Sequence, residues 1–111
     1  MLFQVMHTHG NETCPARTAE AMKPIAAWWQ AMRRAPGVKV LTGTVSPLDH
    51  TFYLTVEADD AVTLAKALGP LVGIGAGDVI PVLTLDQAFP LAEAGAFFVP
   101  KRQGVPASPA G

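Results

Sequence analysis

Three features are scarce in this sequence, and each scarcity excludes a class of protein. There is one cysteine among 111 residues, so no disulfide can form within a single chain. Charged residues make up only 15%, the formal net charge is -1, and the basic residues are scattered, which makes nucleic acid a poor partner. No apolar run approaches the ~18 to 20 residues that span a bilayer. We therefore expect neither a disulfide-stapled domain, nor a nucleic-acid partner, nor a membrane partner.

What is abundant is apolar surface. Half of the residues are hydrophobic, and a chain of 111 residues is long enough to bury one core without staples. So much apolar character with so little charge indicates that some surface is buried against another subunit, in a homodimer or a higher homo-oligomer. The first residues lead straight into a strand pattern without a basic segment and long apolar core, so we expect no secretory signal and a cytoplasmic location.

Hydrophobic periodicity predicts the order β-α-β-β-α-β, the split βαβ pattern of a ferredoxin-like fold. This α+β fold has a four-stranded antiparallel sheet with two helices on one face. Pro81, inside the last strand, places that strand at a sheet edge. The predicted strands are residues 2–9, 38–45, 50–58 and 78–88, with one helix after Pro15 and another capped by Asp59 or Asp60. Residues 1–90 form the predicted domain. Residues 91–111 form a tail, with Phe97-Phe98 as a docking segment before a flexible Pro/Gly-rich end.

Details of the two helices follow from spacing and from helix breakers. In the first helix, an apolar stripe at helical spacing contains Trp29. Trp28 lies outside this stripe, and we expect it to line a pocket or to touch a partner. The stripe consists of Met22, Ile25, Ala26, Trp29 and Met32. Gly69-Pro70 is predicted to end the second helix, and "LVGIGAG" to form a connector. "GIGAGD" precedes a strand and lacks a lysine, so it does not predict a nucleotide site.

The opening "MLFQVM", the order of elements and the segment "LGPLVGIGAGDVIPVLTL" resemble the dimeric α+β-barrel superfamily over residues 1–89, particularly its muconolactone-isomerase-like and uncharacterised members. The resemblance implies two sheets packed face to face across a dimer, with pockets between sheet and helices or within the barrel. Its members include isomerases, cofactor-free monooxygenases, haem proteins and proteins without known activity. The resemblance therefore implies a fold and a dimer more than a function.

The stretch "QVMHTHGNETCP" carries the candidate chemistry. His7 and His9 are two residues apart, so both side chains project from the same face of the first strand, with their Cα atoms about 6 to 7 Å apart. The first and third strands of a split βαβ unit are antiparallel neighbours, so His50, at the start of the third strand, falls beside them. Three imidazoles are a common ligand set for Zn, Fe, Cu or Ni. The topology therefore predicts a transition-metal site of His7, His9 and His50, whose strand-one members face either the helices or the barrel interior.

Cys14 and Glu12 are expected at the same end of the sheet. At a helix start, Cys14 is favoured as a thiolate and would serve as a metal ligand, a nucleophile or a redox-sensitive group. The alternative is a small buried hydrophobe. Glu12 is a candidate general base or fourth ligand, or else a solvated loop carboxylate.

Three functions remain open from the sequence. The first is a metal-binding dimer, leaning towards a metal-dependent enzyme that acts on a small organic substrate. The second is a metal-free isomerase or small monooxygenase with His7 or His9 as general base, which requires an apolar cavity at these residues while His50 points elsewhere. The third is a non-catalytic assembly subunit that docks through Phe97-Phe98.

Overall fold

The computed structural model describes residues 1–96 and shows an α+β fold. Four antiparallel strands form one open sheet in the order β2-β3-β1-β4. This arrangement confirms the predicted ferredoxin-like topology and adds a third helix. The elements are β1 (Leu2–His9), a 3-10 turn (Pro15–Arg17), α1 (Ala19–Met32), β2 (Val38–Ser46), β3 (Thr51–Ala58), α2 (Ala61–Val72), β4 (Gly75–Val82) and α3 (Leu85–Glu93).

The alternating burial of side chains along β1 shows which face of the sheet is covered by α1 and α2. Phe3, Val5, His7 and His9 are all buried, whereas the residues between them are more exposed. Since successive side chains of a strand point to opposite faces, both histidines lie on the side of the helices and the core. This settles the orientation that the sequence left open. The core residues are Phe3, Val5, Ile25, Trp28, Met32, Leu54, Val56, Ala58, Leu64, Leu68 and Leu71.

The edge position predicted for the proline-containing strand is confirmed. β4 pairs only with β1 among the described strands, and Pro81 stands opposite Phe3 in that pairing. Proline lacks the N–H that a central strand would need for its second neighbour, so an edge is where it can be accommodated.

The first helix begins later than predicted. Pro15 opens a three-residue 3-10 turn, and α1 starts only after Thr18, whose Oγ1 accepts the N–H of Ala21 at 2.9 Å. Cys14 therefore precedes a single short turn and not the long helix. The field of a three-residue helix is small, so the argument for a thiolate from the helix dipole loses most of its force.

The predicted roles of the two tryptophans are confirmed only in part, because Trp28 does line a cavity and Trp29 does pack against the core, but Trp28 also belongs to the buried face of α1. Trp28 is the buried one, at 6% exposure, and its Nε1–H donates to the carbonyl of Ala67 on α2 at 2.8 Å. Trp29 is only half-buried. The buried positions of α1 are Ile25, Trp28 and Met32, a spacing of three and four residues that fits a helix as well as the predicted stripe does.

Both predicted boundaries of the second half of the chain also need correction. α2 continues through Gly69 and Pro70 to Val72, because Leu71 is buried and holds the last turn in the core. The last strand is Gly75–Val82, so it begins within the predicted connector and stops before residues 85–88.

Residues 85–88, which were predicted as strand, belong to α3, and this helix begins with a capping box. The Thr84 side chain accepts the N–H of Gln87 at 3.1 Å, and the Gln87 side chain accepts the N–H of Thr84 at 2.9 Å. None of the residues of α3 is buried. The predicted boundary at residue 90 falls inside α3, and Phe97-Phe98 lies outside the described residues.

Candidate metal centre

Backbone pairing brings the end of β1 to the start of β3. Thr8 stands opposite Thr51, with their hydroxyl oxygens 2.9 Å apart. One residue further, the N–H of His9 donates to the carbonyl of His50 at 3.0 Å. The two imidazoles are consequently neighbours, with ring centroids 5.3 Å apart. The antiparallel topology predicted this convergence of the two segments.

His50 occupies a conformation that is costly for a residue with a side chain. Its φ is 52°, in the left-handed region that glycine adopts without steric cost. His50 is the last residue of the turn between β2 and β3. The turn is tied by Ser46 Oγ donating to Asp49 Oδ2 at 3.3 Å and by Thr51 Oγ1 donating to the carbonyl of Asp49 at 3.0 Å. Strained residues that are held by their surroundings cluster at functional sites, which makes His50 a candidate for a functional role.

Cys14 reaches the same place from a short loop after β1. In this loop the N–H of Thr13 donates to the carbonyl of Gly10 at 3.2 Å, and the N–H of Gly10 donates to Thr13 Oγ1 at 3.2 Å. The Arg17 guanidinium donates to the carbonyl of Cys14 at 2.8 Å. These bonds fold the loop back over the end of the sheet. Cys14 is half-buried and has a free thiol.

The structure thus brings together His9, Cys14 and His50, whose potential ligand atoms all lie within 4.8 Å of one another. Tetrahedral Zn²⁺ with nitrogen and sulfur ligands needs separations of about 3.3 to 3.6 Å between them. Side-chain rotations that draw the atoms together by about 1 Å would therefore complete three corners of a tetrahedron. His9 is buried, whereas Cys14 and His50 are half-buried, so the group is accessible from solvent on one side.

The environment of His9 favours the neutral ring that a metal ion requires. Burial lowers the pKa of His9 from its ordinary value, and the adjacent imidazoles of His50 and His7 lower it further. His9 is only 5% exposed, and within residues 1–96 its buried Nδ1 has no hydrogen-bond partner. A buried polar atom without a partner is costly, and a bound cation would satisfy a ring nitrogen.

His7 lies beside the group but is not part of it. Its Nε2 is 2.8 Å from the carbonyl of Leu71, and a carbonyl can only accept, so Nε2 carries the proton. The ring fits there because Gly75 faces it: a Cβ at Gly75 would come within 2.9 Å of His7 Nε2. His7 is thus directed towards the end of α2, with its ring centroid 6.0 Å from that of His9. Its role as a ligand stays a prediction.

The carboxylates near this end of the sheet are exposed. Glu12 and Asp49 both face solvent, and neither belongs to the group of three. The catalytic roles proposed from the sequence for Glu12 and Cys14 therefore stay predictions.

Sequence reasoning missed the part played by Phe52. It lies opposite His7 in the pairing of β1 with β3, and its ring lies 6.0 Å from the ring of His7 and 5.4 Å from that of His9. It forms an apolar wall behind both imidazoles. The sequence did contain a signal for this role of Phe52. Phe52 alternates with polar residues along β3 and therefore shares a strand face with the core residues Leu54 and Val56.

Comparison with known families matches residues 1–96 to a family described as "Domain of unknown function (DUF3303)". The chain belongs to the DUF3303 family. The match covers every strand and helix described above, including α3. No curated protein matches the sequence. Within the described part of this DUF3303 protein, no helix is long and apolar enough to cross a membrane.

Proposed function

We propose that this DUF3303 protein binds one transition-metal ion per chain through His9, Cys14 and His50. The observation that carries the proposal is the convergence of three potential ligand atoms, from three separate segments, within 4.8 Å of one another. The neutral state favoured for His9 and the strained backbone of His50 support it independently.

Two imidazoles and a thiolate are a ligand set of intermediate softness. It suits Zn²⁺ and copper ions better than the hard cations that prefer oxygen, and Fe and Ni ions also accept imidazole. Three protein ligands leave a position for water or for an oxygen atom of a small substrate. When bound there, the ion would supply Lewis-acid or water-activating chemistry, which is the basis for proposing a metal-dependent enzyme.

A metal-free enzyme with a histidine base receives less support. That proposal required His50 to point away from His7 and His9, but the rings of His9 and His50 are 5.3 Å apart. His7 Nε2 is already engaged with the carbonyl of Leu71. An imidazole that is hydrogen-bonded within the core is poorly placed to accept a proton from a substrate.

The proposal is tested by titrating Zn²⁺ and Co²⁺ into protein produced without a histidine tag. We expect one equivalent to bind, and Co²⁺ to give a near-ultraviolet thiolate charge-transfer band. Cys14→Ser should abolish that band, and His50→Asn should weaken binding while preserving the turn, because asparagine tolerates a positive φ. Asn11→Ala, an exposed position in the same loop as Cys14, is the matched control and should bind as the unchanged protein does.

His7→Gln separates the group found in the structure from the ligand set predicted from the sequence. Glutamine keeps an N–H at the position of His7 Nε2, so the bond to the carbonyl of Leu71 is preserved, and we expect metal binding to persist. Protein that holds less than about a tenth of an equivalent of any transition metal after reconstitution would contradict the proposal as a whole.

A homodimer is proposed on separate grounds. The sheet face opposite α1 and α2 carries Leu2, Gln4 and Met6 from β1, and neither α1 nor α2 covers it. Its polar members are partly satisfied within the sheet, because Thr55 Oγ1 donates to Gln4 Oε1 at 3.0 Å. A second copy packed on this face would bury it, and the high apolar content of the chain supports this arrangement. Sedimentation should give twice the mass of the chain.

A further inference from the structure

A cavity lies between α1 and the strands β2 and β3, on the helix side of the sheet. Its volume is about 330 Å³. Small-molecule sites typically begin at about 300 Å³, so the cavity suits a ligand of one or two rings. Its lining residues are Met22, Ile25, Ala26, Trp28, Trp29, Gln30, Gly43, Thr44, Val45, Phe52 and Leu54.

Three aromatic rings form the walls of this cavity. The ring centroids of Trp28 and Trp29 are 6.0 Å apart at 47°, and those of Trp28 and Phe52 are 6.3 Å apart at 32°. Trp29 reaches its place because Gly43 has no side chain: a Cβ there would lie 2.5 Å from Trp29 Cη2. Aromatic walls at such angles offer both faces and edges to a flat ring placed between them.

The cavity is apolar and open. Its lining in the described chain includes no charged side chain, and the polar side chains are those of Gln30 and Thr44, both exposed. Met22 and Val45 stand at the mouth with 43% and 50% of their surface exposed. The indole N–H of Trp28 already donates to the carbonyl of Ala67 and is therefore not free to bind a ligand. No lining residue could form an ion pair with an ionised ligand, and the charged group would lose part of its hydration in the cavity.

We propose that this cavity is a binding site for a small, uncharged, planar aromatic molecule. The ligand ring packs against Trp28, Trp29 and Phe52, and a hydroxyl or carbonyl substituent reaches the amide of Gln30 or the hydroxyl of Thr44. Phe52 is shared with the metal centre, since its ring also contacts the imidazoles of His7 and His9. The site does not depend on a metal ion, because none of His9, Cys14 and His50 lines it.

The chain contains its own reporters for this site. It has only two tryptophans, and both line the cavity, so a ¹⁵N-labelled sample gives two indole N–H signals at the site of interest. We would titrate full-length protein with naphthalene-2-methanol, and separately with the anionic naphthalene-2-carboxylate, in the presence of a chelator. Saturable shifts of both signals are expected with the alcohol, and about tenfold weaker binding with the carboxylate because its charge must be desolvated.

A matched pair of variants on α1 tests the location. Ala26→Leu fills the cavity, whereas Ala27→Leu adds the same side chain at an exposed neighbour that does not line it. Binding of the alcohol should fall at least tenfold in Ala26→Leu only. The proposal is overturned by the absence of saturable shifts, by equal binding of the carboxylate, or by equal effects of the two variants. It is also overturned if Ala26→Leu changes the oligomeric mass but not probe binding, since the cavity would then be a subunit contact.

Discussion

Trp28 and Trp29 provide a direct test of which face of α1 is buried. Trp28→Phe removes the hydrogen bond to the carbonyl of Ala67, worth about 1 kcal/mol, and the benzo part of a side chain that is 6% exposed. Losing that ring costs a further ~1 to 2 kcal/mol, because the surrounding core cannot fully close on the space. The free energy of unfolding should therefore fall by about 2 to 3 kcal/mol.

The same substitution at Trp29 is the control. Trp29 is half-buried, lies against Gly43, and carries the Arg33 guanidinium 5.9 Å from its ring centroid. Trp29→Phe should cost about 1 kcal/mol or less, since most of the lost contact area is near solvent. Urea unfolding followed by far-ultraviolet circular dichroism, with oligomeric mass held constant, measures both. A cost for Trp29→Phe equal to or above that for Trp28→Phe would refute the assignment of the buried face.

Two further predictions concern His9 and α3. Because the pKa of His9 is lowered from 6.5, folding favours its neutral ring. In the presence of a chelator, the contribution of the neutral His9 ring to stability should be complete above about pH 6.5 and be lost as the pH falls through the lowered pKa. The urea midpoint of the unchanged protein should therefore drop more over this pH range than the midpoint of His9→Gln. Equal drops in the two proteins would contradict the prediction. Thr84→Ala removes the cap of α3 at a local cost of about 1 kcal/mol, so α3 amides should exchange faster. The global urea midpoint should not change, because no residue of α3 is buried, and a lower midpoint would show that α3 supports the core.

The elements that the sequence predicted well are those with strong local signals. β1 was predicted with its observed bounds, because alternation runs without interruption from Leu2 to His9. Trp28 was left out of the buried stripe because spacings of three and of four residues both fit the helical period, so Ile25 can be followed on the same face by Trp28 or by Trp29. Only the position of α2, whose Ala67 carbonyl accepts from Trp28, decides between the two tryptophans. α3 was missed although "TLDQ" is a capping box, since "VIPVLTL" before it reads as continuous strand.

Of the candidate site, the sequence likewise predicted only the part that depends on the pairing of the strands. The proximity of His9 and His50 follows from antiparallel pairing, which the order of elements predicts. The direction of the His7 ring does not, because it depends on the carbonyl of Leu71, 64 residues away. The inclusion of Cys14 in the closest group depends on how its loop folds back, which the turn residues alone do not determine.

The three residues of the proposed metal site are anchored differently in the fold. His9, at the end of β1, and His50, in the turn before β3, are joined by a backbone hydrogen bond, whereas Cys14 belongs to a short loop. At the proposed site, two nitrogen ligands would come from segments joined by a backbone hydrogen bond, and the sulfur ligand would come from the loop. The completeness of the proposed ligand set would therefore depend on the conformation of this loop, whereas the strands would hold the two imidazoles together with or without an ion.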